Sequence, residues 1–181
     1  HEGSEEVWAV DVATRKLLAK VRVGKLPHGI VASPDGKALY VSNMGSNDIT
    51  IINTDTYAAT SMGGTGQNPH KVAVAPDGRL LYVSNPSSNN VAVHDMRAHT
   101  LITTIPVGRF PHGLALSSDG KRLYVANMES GDLSVIDTAA NQVVATIQTA
   151  AGPHALVPSR DDKFLYVANT DANRLSIIDT G

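Results

Sequence analysis

Four dipeptides, Pro27-His28, Pro69-His70, Pro111-His112 and Pro153-His154, follow one another at a spacing of 42 residues that never slips. In the same register stand Asp35, Asp77, Asp119 and Asp161, then Tyr40, Tyr82, Tyr124 and Tyr166, then Asn43, Asn85, Asn127 and Asn169. A further column holds Asp11, Asn53, Asp95, Asp137 and Asp179. Identities at so many columns are not a matter of composition: the chain is one structural unit written several times.

Within a unit, Gly29 to Ser33 is a short apolar run, Pro34-Asp35-Gly36 a tight turn, and Ala38 to Ser42 a second run rich in β-formers. That pattern predicts a hairpin. Ile49 to Ile52 supplies a third strand and Tyr57 to Met62 a fourth, with Asn53-Thr54-Asp55 turning between them through side chains that bond local backbone. Runs such as Leu133-Ser134-Val135-Ile136 are nearly continuous in apolar residues, which suits a sheet packed on both faces. Four strands at a period near 40 residues, with no 3.6-residue pattern, predict an all-β fold: a β-propeller of four-stranded antiparallel blades. The expected divisions are a half blade over 1–24, full blades over 25–66, 67–108 and 109–150, and an incomplete blade over 151–181.

The wording of the strands is also familiar. Leu39-Tyr40-Val41-Ser42-Asn43 and Leu123-Tyr124-Val125-Ala126-Asn127, the latter followed by Leu133-Ser134-Val135-Ile136-Asp137, resemble the YVTN family of β-propeller repeats, and the resemblance covers nearly the whole chain. It implies the propeller fold and a periplasmic or extracellular location. That family resembles a collection of surface-layer proteins, periplasmic accessory proteins and proteins of unassigned role. Related propellers occur in lactonases and in the haem- or quinone-associated subunits of redox enzymes. One departure is Arg160-Asp161-Asp162, where the other units place Gly after the acid, so a looser first turn is expected in the fourth unit.

Both ends fall inside a unit, since His1 sits on the column of Asn43 and Gly181 on that of Asp55. A start at His1 reads as a processed product or a fragment, so an export signal has room to have been removed. Three closures follow: a small four-bladed ring, a piece of a seven- or eight-bladed ring, or a homodimer sharing eight blades. A piece of the larger ring is the expectation, and an unpaired edge invites association.

A formal net charge of −2 with scattered Lys and Arg offers no basic stripe, which argues against nucleic acid. No apolar run approaches the ~20 residues that cross a bilayer, so membrane insertion is not expected. With no cysteine, disulfides, thiolate metal sites and cysteine nucleophiles are excluded. Nucleophile elbows, Gly-rich phosphate loops, zinc-protease helices and Ca²⁺ loops are equally missing from the sequence, which leans away from catalysis.

In a propeller the loop entering the first, innermost strand and the loop between the second and third strands share one face of the disc. This places His28, His70, His112 and His154 around one mouth of the channel, with Asn43, Asn85 and Asn127 nearby as candidate ligand-binding residues. Imidazole is a common ligand, so the histidines are candidates for a transition metal, the one cofactor considered. A residue repeated in every blade is read first as a blade-building residue, and WD repeats use a Gly-His pair in the same connection. A preceding Pro, which presets an extended chain, favours that structural role.

Departures from the repeat point to function more directly. Lys25 and Arg109 vary at one position before the histidines, and Lys71 stands where the other units have Gly29, Gly113 and Ala155. Together Lys25, Lys71 and Arg109 suit a carboxylate or phosphate group. Asp48, Glu129, Asp132, Asp171 and Arg174 mix charges on the same face. His94 replaces the Ile of other units and His99 follows in the next turn, a pair read as surface polar variation. The Asp11 column is read as turn-capping. The expected function is a non-catalytic scaffold that binds a partner protein or a small anionic ligand at the His-bearing face. The alternative is the propeller subunit of a periplasmic redox or lactone-hydrolysing enzyme, with a metal or cofactor at that face.

Overall fold

The computed structural model describes residues 2–181; His1, the first position of the expected half blade, lies outside them. Three four-stranded antiparallel meanders run in chain order. The first holds β3 (Pro27–Ala32), β4 (Ala38–Asn43), β5 (Asp48–Asn53) and β6 (Ala59–Met62). The second holds β7 (Val72–Val74), β8 (Leu80–Asn85), β9 (Asn90–Asp95) and β10 (Thr100–Pro106). The third holds β11 (Pro111–Leu116), β12 (Arg122–Asn127), β13 (Asp132–Asp137) and β14 (Gln142–Gln148). They are flanked by a pair, β1 (Glu6–Val10) and β2 (Leu17–Arg22), and by a three-stranded sheet, β15 (Pro153–Pro158), β16 (Phe164–Asn169) and β17 (Arg174–Asp179). β3, β7, β11 and β15 approach one another in sequence order and form the inner wall of a propeller arc. The pair and the three-stranded sheet remain separate sheets.

Each blade presents one apolar face forward and one backward, so the core is a series of slabs between blades. Tyr40, Ile49 and Met62 of the first complete blade meet Leu81 and Val83 of the second. Tyr82, Val91 and Val93 of the second meet Leu123, Val125 and Ile136 of the third. Leu133 and Val135 meet Leu165 and Val167 of the last sheet. The cost of uncovering such a face is visible at the end of the arc: Leu175 and Ile177 are each 63 % exposed, while Leu133 and Val135 in the same columns are 0 % and 8 %.

Local turns explain most departures from the expected strand limits. Tyr57 takes a left-handed backbone (φ 58°), so β6 starts at Ala59 and not at Tyr57. Arg15, His99 and Asn141 adopt the same conformation in the same column. The Asp column caps these turns as its residue types predict: Asn53 Oδ1 accepts from the Asp55 and Thr56 amides, Asp95 from Arg97 and Ala98, and Asp137 from Ala139 and Ala140. The first turn of the last sheet is not loosened. Asp162 takes φ 55° where Gly36, Gly78 and Gly120 take 71–72°, and its amide donates to Ser159 O at 3.0 Å as theirs do in the other turns. Its carboxylate is put to use, accepting from the Ser118 amide of the neighbouring blade at 2.8 Å.

Candidate functional site

At the channel mouth the four histidine rings form a continuous stack. Centroids are 3.6 Å apart from His28 to His70, 3.9 Å from His70 to His112 and 3.7 Å from His112 to His154. The backbone imposes this arrangement. Leu26, Asn68 and Phe110 all sit at positive φ immediately before the Pro, which then carries each His into or beside the innermost strand.

Adjacent blades are stitched together at the same level through histidine carbonyls. Ser42 Oγ donates to His70 O at 2.6 Å, and Ser84 Oγ to His112 O at 3.1 Å. In the third blade this column is Ala126, which has no hydroxyl. There the His112 ring takes over, its Nδ1 lying 3.2 Å from His154 O, the geometry of an N–H donating to the carbonyl. His70, whose neighbour's carbonyl is already served by Ser84, keeps a buried Nδ1 with no hydrogen-bond partner.

Burial, then the charge of neighbouring imidazoles and of Lys71, pushes His70 down to about 3. Burial and His154 push His112 down to about 4. Both are neutral near pH 7, so the middle of the stack offers two polarisable, uncharged rings. Among the described residues no group of three or more His, Cys, Asp or Glu side chains is placed to hold a metal ion.

The three predicted cations are all exposed, and they are placed differently. Lys71 lies close enough to His70 and His112 for its charge to act on both. Arg109 turns toward its connecting loop, its Nη2 donating to Glu129 O at 3.3 Å, and the Lys25 amide donates to Ser46 Oγ at 2.9 Å. Lys71 also alters the backbone. A Cβ on Gly29 or Gly113 would come within 2.4 Å of His70 O or 2.6 Å of His154 O, so a side chain does not fit in this column where the next blade's histidine carbonyl approaches so closely. β7 accordingly starts only at Val72, whereas β3 and β11 start at Pro27 and Pro111.

Asn43, Asn85 and Asn127 are not on the ligand-facing surface. Each is 0 % exposed and clamps its own blade. Asn43 Nδ2 donates to Asp48 and Thr50, Asn85 Nδ2 to Asn90, and Asn127 Nδ2 to Asp132 and Ser134, all within 2.7–2.9 Å. Gly24, Gly66 and Gly108 press on these amides so closely that a Cβ would lie within 2.6–2.8 Å of them. That glycine column shares the 42-residue register and is the sequence signal that marks the asparagines as interior. Asp48 is drawn into the clamp as well, accepting from Asn43, Ser46 and Ser61.

His94 also departs from expectation. It is 0 % exposed, with neither ring nitrogen hydrogen-bonded, because its column faces the preceding blade where Ile52 and Ile136 pack. Burial lowers its pKa. His99 is exposed, as a surface position should be.

The sequence profile of a family described as "Lactonase, 7-bladed beta-propeller" matches residues 10–100 and 53–148. No curated protein matches. Among solved structures, the chain resembles Kuenenia stuttgartiensis hydrazine synthase with 32 % identity and a TM-score of 0.80 over 84 % of this chain and 46 % of that one. A Desulfotomaculum acetoxidans protein described as functionally unknown shares 15 % identity, TM-score 0.78, over 95 % and 61 %. A Bacteroides uniformis protein, whose proposed activity is that of a 6-phosphogluconolactonase, shares 19 % identity, TM-score 0.79, over 97 % and 60 %. The last two likenesses concern the fold alone. The chain spans between about half and three fifths of these proteins' length.

Proposed function

Because this chain belongs to the family of seven-bladed β-propeller lactonases, we propose that it is an arc of a propeller whose His-bearing channel mouth binds a small anionic ligand, without itself being a catalyst. The observation that carries this reading is Lys71, a cation set beside the neutral imidazoles of His70 and His112 at a position where the other units have Gly or Ala. The stack brings no carboxylate to compete for the ammonium, so a phosphate or carboxylate group is the natural counter-ion. Lys25 and Arg109 add longer-range attraction at the rim. A periplasmic or extracellular setting, which the repeat resemblance implies, suits a ligand-binding scaffold.

The experiment is isothermal titration with inorganic phosphate and with gluconate. Lys71→Gly restores the residue of the first and third complete blades and so preserves the fold. It should abolish binding, while Lys25→Ala and Arg109→Ala weaken it only a few-fold. Unchanged affinity in Lys71→Gly would refute the assignment.

The family match favours one second reading, hydrolysis of a lactone at the same place. A neutral His70 imidazole would accept a proton from the attacking water and Lys71 would stabilise the carbonyl oxygen as it becomes negative. The new C–O bond forms as the ring acyl–oxygen bond breaks, and the departing alkoxide takes up a proton to give the hydroxy acid. Turnover of δ-gluconolactone above its spontaneous rate, lost in His70→Gln, would establish this reading over the scaffold.

A further inference from the structure

The face opposite the histidines carries the turns between first and second strands, and there the repeat is broken at one column. Thr54, Thr138 and Thr180 share it with Met96, and with Val12 of the first half blade, which has no such turn. Each threonine hydroxyl donates to the carbonyl of the residue at the positive-φ position of that turn, Thr54 to Gly36 at 2.8 Å, Thr138 to Gly120 at 2.7 Å and Thr180 to Asp162. Met96 has no hydroxyl, so the Gly78 carbonyl has no such bond.

A column of tyrosines lies beside these turns. Tyr82, in the groove between the second and third complete blades, is near enough to the Thr138 side chain for the threonine to act on its hydroxyl. Tyr40 occupies the same column one blade earlier and packs in the cluster that contains Met96. It is 6 % exposed, and its hydroxyl makes no hydrogen bond among the described residues.

The acids of the turns differ in the same way. Lys121 pairs with Asp119 at 3.4 Å and Lys163 with Asp161 at 3.8 Å. In the first two complete blades, no ion pair among the described residues engages Asp35 or Asp77, because Arg79 turns to Asp95 at 3.7 Å. Asp35, Asp77, Tyr40 and Gly78 all line one cleft of about 250 Å³ between those blades, with Pro34 and Ala38 as its apolar wall. Lys37 also lines it, without reaching either carboxylate within ion-pair distance.

Two carboxylates, a carbonyl and a phenol oxygen thus face one small volume, with too few metal-ligating side chains for a metal ion. A positively charged group with several N–H donors on a short alkyl stem matches that set. We propose that this cleft binds a primary ammonium group, presented either by a free alkyl amine or by a lysine side chain of another protein.

The test is isothermal titration of the 181-residue chain with 1,4-diaminobutane and, separately, with a lysine tripeptide blocked at both ends. Tetramethylammonium, which has the charge and no N–H donors, is the control. Saturable binding of an amine is expected, with at least a tenfold loss in Met96→Thr, which restores the residue that follows the other first turns and occupies the Gly78 carbonyl as Thr54 and Thr138 occupy theirs. Tyr40→Phe and Asp77→Asn should weaken binding in the same direction. Binding of the diamine alone identifies a free amine as the source, and binding of the peptide alone identifies a lysine. Binding of neither, equal binding of tetramethylammonium, or an unchanged affinity in all three variants would overturn the proposal.

Discussion

The interface between the first and second complete blades and the interface between the second and third are built from the same columns, yet they are closed differently. In the second, Ile136 fills the slab and Thr138 serves the Gly120 carbonyl. In the first, His94 replaces the isoleucine and Met96 the threonine, leaving two ring nitrogens buried without partners and Tyr40 unbonded. Geometry is preserved through both because the apolar columns on either side are intact. The difference teaches that the repeat dictates the fold, while the positions where it lapses hold polar groups that the fold itself does not use.

The largest effect should come from damaging the isoleucine-filled interface. Leu123 is 0 % exposed and central to it, so Leu123→Ala should cost about 2–5 kcal/mol in urea unfolding, through lost burial and the cavity left behind. A loss well under 1 kcal/mol would mean that the slab is not packed as described.

Acid should weaken the protein next most. His70, His112 and His94 have folded pKa values below the ordinary 6.5, so the unfolded chain binds protons that the folded one refuses. Stability is then fully present above about pH 6.5 and falls as pH drops toward the folded values near 4 and 3. At pH 5 the loss should be about 2 kcal/mol for each of His70 and His112, read from denaturation midpoints. A flat profile between pH 7.5 and 5 would contradict buried, neutral His70 and His112.

Making the first interface like the second should help by a smaller amount. His94→Ile removes two orphaned nitrogens and supplies the side chain of the neighbouring units, so a gain of about 1–3 kcal/mol is expected, larger at pH 5 than at pH 7.5. A destabilised variant would show that His94 is bonded in solution. The smallest effect belongs to Met96→Thr, within about 1 kcal/mol, since one new hydrogen bond is offset by lost apolar burial. It is read from urea unfolding midpoints.

Much of this was legible before any coordinates. The strands, their order and the histidine stack follow from the 42-residue register, because four identical units with both faces apolar have few ways to pack. The asparagines misled because a polar residue near a channel mouth looks available, and only the glycines pressed against it show that it is enclosed. His94 misled because a histidine on a strand carries no sign of which face is covered, although its column-mates are isoleucines. The Tyr40 cleft was invisible for a different reason: its phenol and its two acids come from adjacent blades, so reading one unit at a time cannot reveal it. Lys71 was readable as a break, but its effect on the start of β7 needed the close approach of the His112 backbone.

The central claim is that binding resides where the repeat lapses and not in the repeated residues. Amide NMR of the isotope-labelled chain, titrated in parallel with phosphate and with 1,4-diaminobutane, tests it directly. The account predicts phosphate shifts centred on Lys71 and diamine shifts centred on Tyr40 and Gly78, with the equivalent positions Gly113, Tyr82 and Gly120 unmoved. Shifts of similar size at every equivalent position around the arc would contradict it.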